Sequence, residues 1–545
     1  MYNYWKGVLQ DDKFNRYGLP ILLVLFSFFL NRSGLTANSI ALDEPFSIYV
    51  AQYEIGKIIA YLSTGNNPPL FEIILHYWIK IFGIKPSSVR FLPCLFTSLT
   101  ALYVFKITLY IATKRSALIA FILFTLSNYE LYFAHEARVY SLFTFLTCVS
   151  FYYFFKIYKN KTRINFLIFG LVNLLLIYAH YFCFFVLFVQ FVSIFIFNSL
   201  RLKCGKELFY VGLFLSVGYL PYIVVFIQRF YESSAHGTWI SPVTNLGQLH
   251  HVITLLTNNS SVNFLVFILL IWTGFIYLIS NGIKNQLLRN GVLVLSIFFL
   301  FYSISIVAPM PYYWEFSSKP WAISSYLIFI ILGTLWIVRS LKINALIKMT
   351  LLWFILPLLI MFISSFKIPM FIDRYYIYVT PAFFILIAIL SDYLSFKSQI
   401  RVYYILIALL LITHVRNEPN NRDVKPMIEK IASLKTSSTA VILCPDYFNL
   451  NFTYYYSQKL FENIGEESIN IGLIRRLQHE KVYGLTHINQ LDSNVLFVNK
   501  KIIYLDASAD FVYPLNGIKK VLNKHYHHTE TLKYGDAFNV FVFEK

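Results

Sequence analysis

The sequence predicts a polytopic α-helical membrane protein: about 13 transmembrane helices, interfacial helices in the first outer loop, and a small C-terminal extracytoplasmic α/β domain. Three observations predict it. Of 545 residues, 57% are apolar and only 13% charged, with a mean hydropathy of +0.60; a soluble domain carries about twice that charge fraction. Apolar runs of about 20 residues, long enough to cross the hydrocarbon core as helices, recur along residues 1–414. The composition then changes. Residues 1–414 hold 30 basic and 13 acidic side chains, a net of +17, whereas 415–545 hold 16 and 14, a net of +2. A lipid-solvated body (1–414) and a part of ordinary soluble composition (415–545) follow. The basic excess is read as orientation-setting charge, and no nucleic-acid partner is expected. Five scattered cysteines give no disulfide framework.

The apolar runs lie near 17–31, 90–112, 116–131, 140–156, 164–179, 181–199, 207–228, 262–280, 291–308, 321–338, 349–366, 375–395 and 402–414. The stretch 164–199 is too long for one span, and His180 with its aromatic neighbours divides it into two helices joined by a tight turn. The first run has no small-residue cleavage site after it and is expected to stay as an anchor. Residues 68–83 decide the topology. They begin with two prolines and carry Glu72, His76 and Lys80 four apart, on one helical face. If this segment lies on the outer surface, the loops after residue 90 hold sixteen basic residues inside and five outside. A crossing would invert the ratio. It is therefore read as an interfacial helix in a cell inner (plasma) membrane protein, with the N-terminus cytoplasmic and the C-terminal region outside.

Under this topology nine of the thirteen acidic residues of the body face outward. The positive-inside rule takes little notice of acids, whereas a site needing carboxylates at the outer rim would place them so. Asp43-Glu44 follows the first span. Its plain reading is a helix start, with Asp43 as cap and Pro45 in the first turn. Arg90 opens the second span, where a snorkelling anchor is the plain reading. His135-Glu136-Ala137-Arg138-Val139-Tyr140 lies between two apolar runs, and charges at such a depth pair or serve a site. His180 falls at an outer turn, and Arg374-Tyr375 precedes the twelfth span, where Arg374 is suited to an anionic headgroup or phosphate.

Together these motifs resemble the type C glycosyltransferases, in particular the family of bacterial relatives of protein O-mannosyltransferases and of the lipid A aminoarabinose transferase. The resemblance rests on Asp43-Glu44, Pro68-Pro69-Leu70 to His76-Tyr77-Trp78, Arg90 to Pro93, Glu136-Ala137-Arg138 to Tyr140, His180-Tyr181-Phe182 and Arg374-Tyr375 to Pro381. It is strong over about 40–200, weaker to 395, and hardly covers the tail. Some relatives carry a lysine before the prolines, where this chain has Asn66-Asn67.

The resemblance implies transfer of a sugar from a polyprenyl-phosphate donor to a hydroxyl of a glycan, lipid or protein acceptor on the extracytoplasmic face. Asp43 is expected to act as base, with Glu44 or Glu136 orienting it. Arg374, Arg138 and Arg90 are expected at the leaving phosphate, and His180 and Tyr375 at the substrate. One base without a carboxylate nucleophile favours inversion. No cofactor is certain; a divalent cation, Mg²⁺ or Mn²⁺, held by Asp43 and Glu136 is left open. A transporter or lipid-linked glycan flippase is the alternative, but it would keep its charges near mid-membrane and show repeated halves. In the tail, strands are expected at TAVILCP, KIIYLDA and AFNVFVFEK, and helices at VKPMIEKIASLK and NGIKKVLNKHY. This part is expected to bind acceptor or act as a lid.

Overall fold

The computed structural model describes residues 14–65, 67–236, 240–305, 317–393, 396–419, 422–462, 469–492, 495, 498–535 and 537–545. Asp11, Asp12, Asn66 and Glu315 lie outside the described residues, as do the ends of the runs predicted to reach 308 and 395. The chain opens with α1 (Leu19–Asn31) and then three short helices outside the apolar runs: α2 (Glu44–Val50), α3 (Ile55–Leu62) and α4 (Leu70–Phe82). Gly83, at φ 72°, ends α4 in a conformation that L side chains rarely adopt.

The membrane body continues with α5 (Pro86–Ile111), α6 (Lys114–Thr125), α7 (Asn128–Ala134), α8 (Tyr140–Lys159), α9 (Arg163–Ala179), α10 (Cys183–Ile196) and α11 (Asn198–His236). After it come α12 (Gly247–Leu256), α13 (Ser261–Gly282), α14 (Gln286–Ser305), α15 (Pro320–Ser340), α16 (Ala345–Ser364), α17 (Asp373–Tyr376), α18 (Thr380–Leu390) and α19 (Phe396–Thr413). Local sequence sets many of the starts. Thr113, Ser127, Thr162, Ser260 and Asn344 each cap the following helix with a side-chain oxygen, and proline occupies the first turn of α5 and α15.

Among the described residues, seven helices are long and apolar enough to cross a membrane, or eight if α6 and α7, bent by 60° at Leu126-Ser127, count as one span. Five further predicted spans fall on shorter apolar helices, Arg16–Asn31, Arg163–Ala179, Cys183–Ile196, Gln286–Phe301 and Ser398–Thr413. Length and composition support seven or eight crossings and do not confirm the count of thirteen, although a helix stands at each predicted position. The break at His180 falls where the sequence placed it.

α8 and the Asp373–Tyr393 segment are the most enclosed, each 78% buried, against 11% for Asn198–Ala235. The latter turns Phe209, Leu213, Val217, Leu220 and Val224 outward, as a lipid-facing helix does. At the centre Phe151 stacks on Trp353 at 4.1 Å and Phe143 meets Tyr378 at 4.7 Å. Packing of this kind, rather than escape from water, holds helices together in lipid.

With 13 residues α4 is too short to cross a membrane. Its polar face is not turned to solvent, however: Glu72 and His76 are buried and only Lys80 is exposed. The reason lies on α2. Ser47 donates to Glu72 at 2.7 Å, and the His76 ring bonds the Ala51 carbonyl at 2.8 Å.

The tail folds around a five-stranded sheet, β1 (Thr439–Cys444), β2 (Val482–Gly484), β3 (Lys501–Asp506), β4 (His527–Tyr534) and β5 (Phe538–Glu544), in the order β2-β1-β3-β5-β4. β2, β1 and β3 run parallel, while β5 and β4 are antiparallel. Alternation along each strand makes two cores. Val441, Leu443, Ile503, Leu505 and Val540 pack against α20 (Val424–Leu434), α21 (Asn449–Tyr456) and α22 (Ile469–His479). Ile442, Ile502, Tyr504 and Phe543 pack against α23 (Ile518–His525). The result is a three-layer α/β arrangement.

Candidate active site

The loop between α1 and α2 carries Asp43 and Glu44, and the structure sends these neighbours in different directions. Leu42 stands at φ 55°, a costly conformation for a bulky residue of the kind that concentrates at functional sites. Its carbonyl is held by Asn451 of α21 at 3.1 Å. The turn it makes delivers Glu44 inward and Asp43 outward.

Glu44 is buried and saturated. One carboxylate oxygen accepts from Arg90 Nε at 2.8 Å and from the Ala137 N–H at 2.9 Å; the other accepts from Arg90 Nη2 at 2.6 Å and the Ala41 N–H at 3.3 Å. Arg90 spends its other donors on main-chain carbonyls of the same loop, Leu35 at 3.1 Å, Asn38 at 2.8 Å and Ser39 at 2.9 Å. All five N–H donors of the guanidinium are thus engaged. Arg90 is neither a snorkelling anchor, being 1% exposed, nor placed to offer a free donor to phosphate. It is a clamp on residues 35–44.

Asp43 sits at the start of α2 but makes no capping hydrogen bond. Its carboxylate accepts from Arg374 Nη1 at 2.9 Å and lies 3.9 Å from Arg138 Nη2, with the side chain 48% exposed. Arg138, in the α7–α8 loop, also donates to Ser47 at 2.7 Å and lies 3.9 Å from Glu72. Arginines from two distant stretches therefore converge on one half-open carboxylate. Arg374 additionally faces Tyr140 and Glu136.

Glu136 is buried, and that burial pushes its carboxyl up to about 8 against the pull of Arg374 and Arg138. Glu72 is likewise raised by burial, opposed by Arg138 and the Ser47 hydroxyl. His180 ends α9 and is buried, stacked at 4.8 Å on Phe143. Burial, with Arg138 adding to it, lowers its ring to about 3, so it is neutral at ordinary pH. Its Nδ1 accepts from the Phe182 N–H at 3.2 Å, which leaves Nε2 as the N–H, buried and without a hydrogen-bond partner among the described residues. That ring and Tyr375 line a cavity of about 500 Å³ whose other walls include Phe182, Phe184, Phe185, Phe226 and Arg229.

Among the described residues, no group of three or more His, Cys, Asp or Glu is placed to hold a metal ion. Asp43 faces two guanidinium groups, and both Glu44 oxygens are taken. The donor set does not fit a divalent cation between Asp43 and Glu136. In the tail, His527 and His528 are on the exposed strand β4, beyond the helix end at His525.

Sequence reasoning did not single out Ser47 as the bridge between Arg138 and Glu72. Nor did it place the tail against this loop. Ile40 N–H donates to Tyr455 at 2.6 Å, Arg476 donates to Tyr49 at 3.0 Å, and Asn38 donates to the Glu418 carbonyl at 2.8 Å. A lone serine gives no signal in one sequence; the clustering of Tyr454-Tyr455-Tyr456 was the available hint of a packed surface.

Residues 66–224 match the family described as dolichyl-phosphate-mannose-protein mannosyltransferase. The likeness to type C glycosyltransferases read from the motifs is borne out over that segment. Among curated protein sequences none matches this chain. Among solved structures, ArnT from Cupriavidus metallidurans in the apo state is 11% identical over 98% of this chain and 98% of that one, with a TM-score of 0.47. The archaeal oligosaccharyltransferase AglB from Archaeoglobus fulgidus, in complex with an inhibitory peptide and a dolichol-phosphate, is 13% identical over 97% of this chain and 74% of that one, with a TM-score of 0.45. The S. cerevisiae protein O-mannosyltransferase Pmt1-Pmt2 complex, bound to the sugar donor, is 17% identical over 41% and 35%, with a TM-score of 0.31.

Proposed function

We propose that this chain transfers a sugar from a polyprenyl-phosphate donor to a hydroxyl of a glycan, lipid or protein acceptor at the extracytoplasmic face, with inversion. The observation that carries the reading is the half-exposed Asp43 carboxylate between Arg374 and Arg138, at 2.9 and 3.9 Å. A hydroxyl is a poor nucleophile at neutral pH; a carboxylate at its side takes the proton as the bond to the anomeric carbon forms. The glycosidic bond to phosphate breaks on the opposite face, and the phosphate leaves with the electron pair. Arg374 and Arg138 are the cations placed to take that growing charge. Before donor binds they are occupied by Asp43. A donor phosphate competes for them and releases the carboxylate for its work as base.

The aromatic cavity beside Tyr375 suits a prenyl tail, and the partnerless His180 Nε2–H suits a phosphate or sugar oxygen. Glu44 and Arg90 act at one remove by holding the loop. Glu136, kept protonated by burial, tunes Arg374. The orientation is supported by the sixteen-to-five division of basic residues and by the gathering of Asp43, Arg138, His180 and Arg374 at one end of the body (1–414), where the tail (415–545) also docks.

The test is Asp43→Asn. In membranes supplied with a polyprenyl-phosphate sugar, transfer is expected to fall by about 10²–10⁴-fold, the usual contribution of a general base. Polyprenyl-phosphate binding and folding should persist. Full transfer by the variant removes Asp43 as base. Comparing envelope lipids, glycans and proteins by mass spectrometry, with and without the active chain, identifies the acceptor.

A further inference from the structure

A second cavity, of about 990 Å³, opens between the first outer loop and the tail, with Ser39, Lys85, Arg422 and Lys425 in its walls. Asp43, Arg138 and Arg374 are not among its lining residues, so it is separate from the site described above. From this cleft we propose a binding site for a phosphate-bearing polyol headgroup, carried either by an outer-leaflet lipid or by a soluble sugar phosphate.

Charge gives the first reason. Three cations, Lys85, Arg422 and Lys425, line the cleft against a single carboxylate, Asp423. Cations brought together from two distant chain segments suit one phosphate held by several charge-assisted hydrogen bonds. The remaining walls give the second. Thr36, Asn38 and Gln458 supply hydroxyl and amide groups, and the rings of Tyr454 and Tyr455 supply flat faces. Such a mixture suits a hydroxylated carbon skeleton attached to the phosphate, its hydroxyls toward the polar groups and its carbon faces on the rings. Location gives the third. Lys85 and Pro86 stand where α5 begins its crossing, so one lip of the cleft lies at the bilayer surface, where lipid phosphates are.

The cleft is also wired to the catalytic loop. Residues 36–39 form one wall, and the carbonyls of Asn38 and Ser39 are two of those gripped by Arg90. From the tail side the Lys425 N–H donates to Ser39 Oγ at 3.1 Å. An occupant that draws Lys425 and Arg422 together tightens the same loop that presents Asp43.

The experiment uses the purified full chain and two probes: sn-glycerol 3-phosphate in solution, and nanodiscs of phosphatidylglycerol compared with phosphatidylcholine. Saturable binding of either phosphate probe is expected, read by calorimetry or by a rise in Tm. The Lys85→Ala/Arg422→Gln double variant should weaken it by about tenfold or more, as should Lys425→Glu. Binding to the soluble probe assigns a sugar phosphate; binding only in phosphatidylglycerol discs assigns a lipid headgroup. Asp43→Asn should bind as the wild type does, so failure of the transfer reading and failure of this one are distinguishable. Absence of saturable binding to both probes, or binding unchanged in the folded cleft variants, overturns the proposal.

Discussion

Replacing Arg90 with lysine separates a structural clamp from a phosphate ligand, because lysine keeps the charge but not the fork. The guanidinium makes five hydrogen bonds, two to Glu44 and three to the carbonyls of Leu35, Asn38 and Ser39. An ammonium has three donors from one atom, so at least two of the five contacts are lost. Each stranded buried acceptor costs about 1–3 kcal/mol, which places Arg90→Lys at about 2–6 kcal/mol. Arg90→Met leaves Glu44 buried without its cation and should cost about 3–5 kcal/mol. Denaturant unfolding of the detergent-solubilised chain, followed by tryptophan fluorescence, measures these losses. Transfer should fall in both variants, since residues 35–44 then present Asp43 loosely. Stability within about 1 kcal/mol of wild type in both variants, near the smallest value expected for one lost acceptor, would refute the clamp. A stable Arg90→Lys protein deficient only in transfer would restore a direct phosphate role.

Three other outcomes follow from the same geometry. Glu136 is lifted by burial from 4.5 to about 8, so the folded state keeps a proton that the unfolded chain loses. Its contribution is therefore complete below about 4.5 and lost as the pH rises through about 8, and Glu136→Gln should flatten that part of a Tm-versus-pH curve. His180→Phe keeps the stacking on Phe143 but removes the Nε2–H; transfer should fall with Tm little changed, and, because the ring titrates only near 3, the wild-type rate should show no histidine step between pH 5 and 8. Gly34→Ala puts a Cβ 2.3 Å from the Arg416 carbonyl oxygen at φ +78°; limited proteolysis should cut the loop–tail junction faster.

The thirteen helix positions were legible because apolar runs announce themselves by composition, but whether each crosses depends on helix length, and helix ends at residues such as Ile196 are set by packing. The carboxylate pair shows the same division. Adjacent residues at a helix start point apart by roughly 100°, so Asp43 and Glu44 could not share one role. Which of them turned inward depended on Arg90, 46 positions away. For α4 the periodicity gave the polar face, while Ser47 and the Ala51 carbonyl decided that this face turned inward. β4 escaped notice because HHTETLKY is exposed along most of its length: an edge strand with one hydrogen-bonded neighbour has no core-facing alternation to read. The motif resemblance reached Arg374, which no local pattern would have joined to Asp43, 331 positions earlier.

The contacts of Asn38 with Glu418 and of Gln52 with Phe461 span 380 and 409 positions. At ribosomal speeds of about 5–20 residues per second, the early loop waits on the order of 20–80 s for the partners that fasten it. During that interval Asn38 and Gln52 stand without the distant carbonyls that later hold them. The loop between α1 and α2 is thus among the last parts of the molecule to be fastened, although it is among the first to be made.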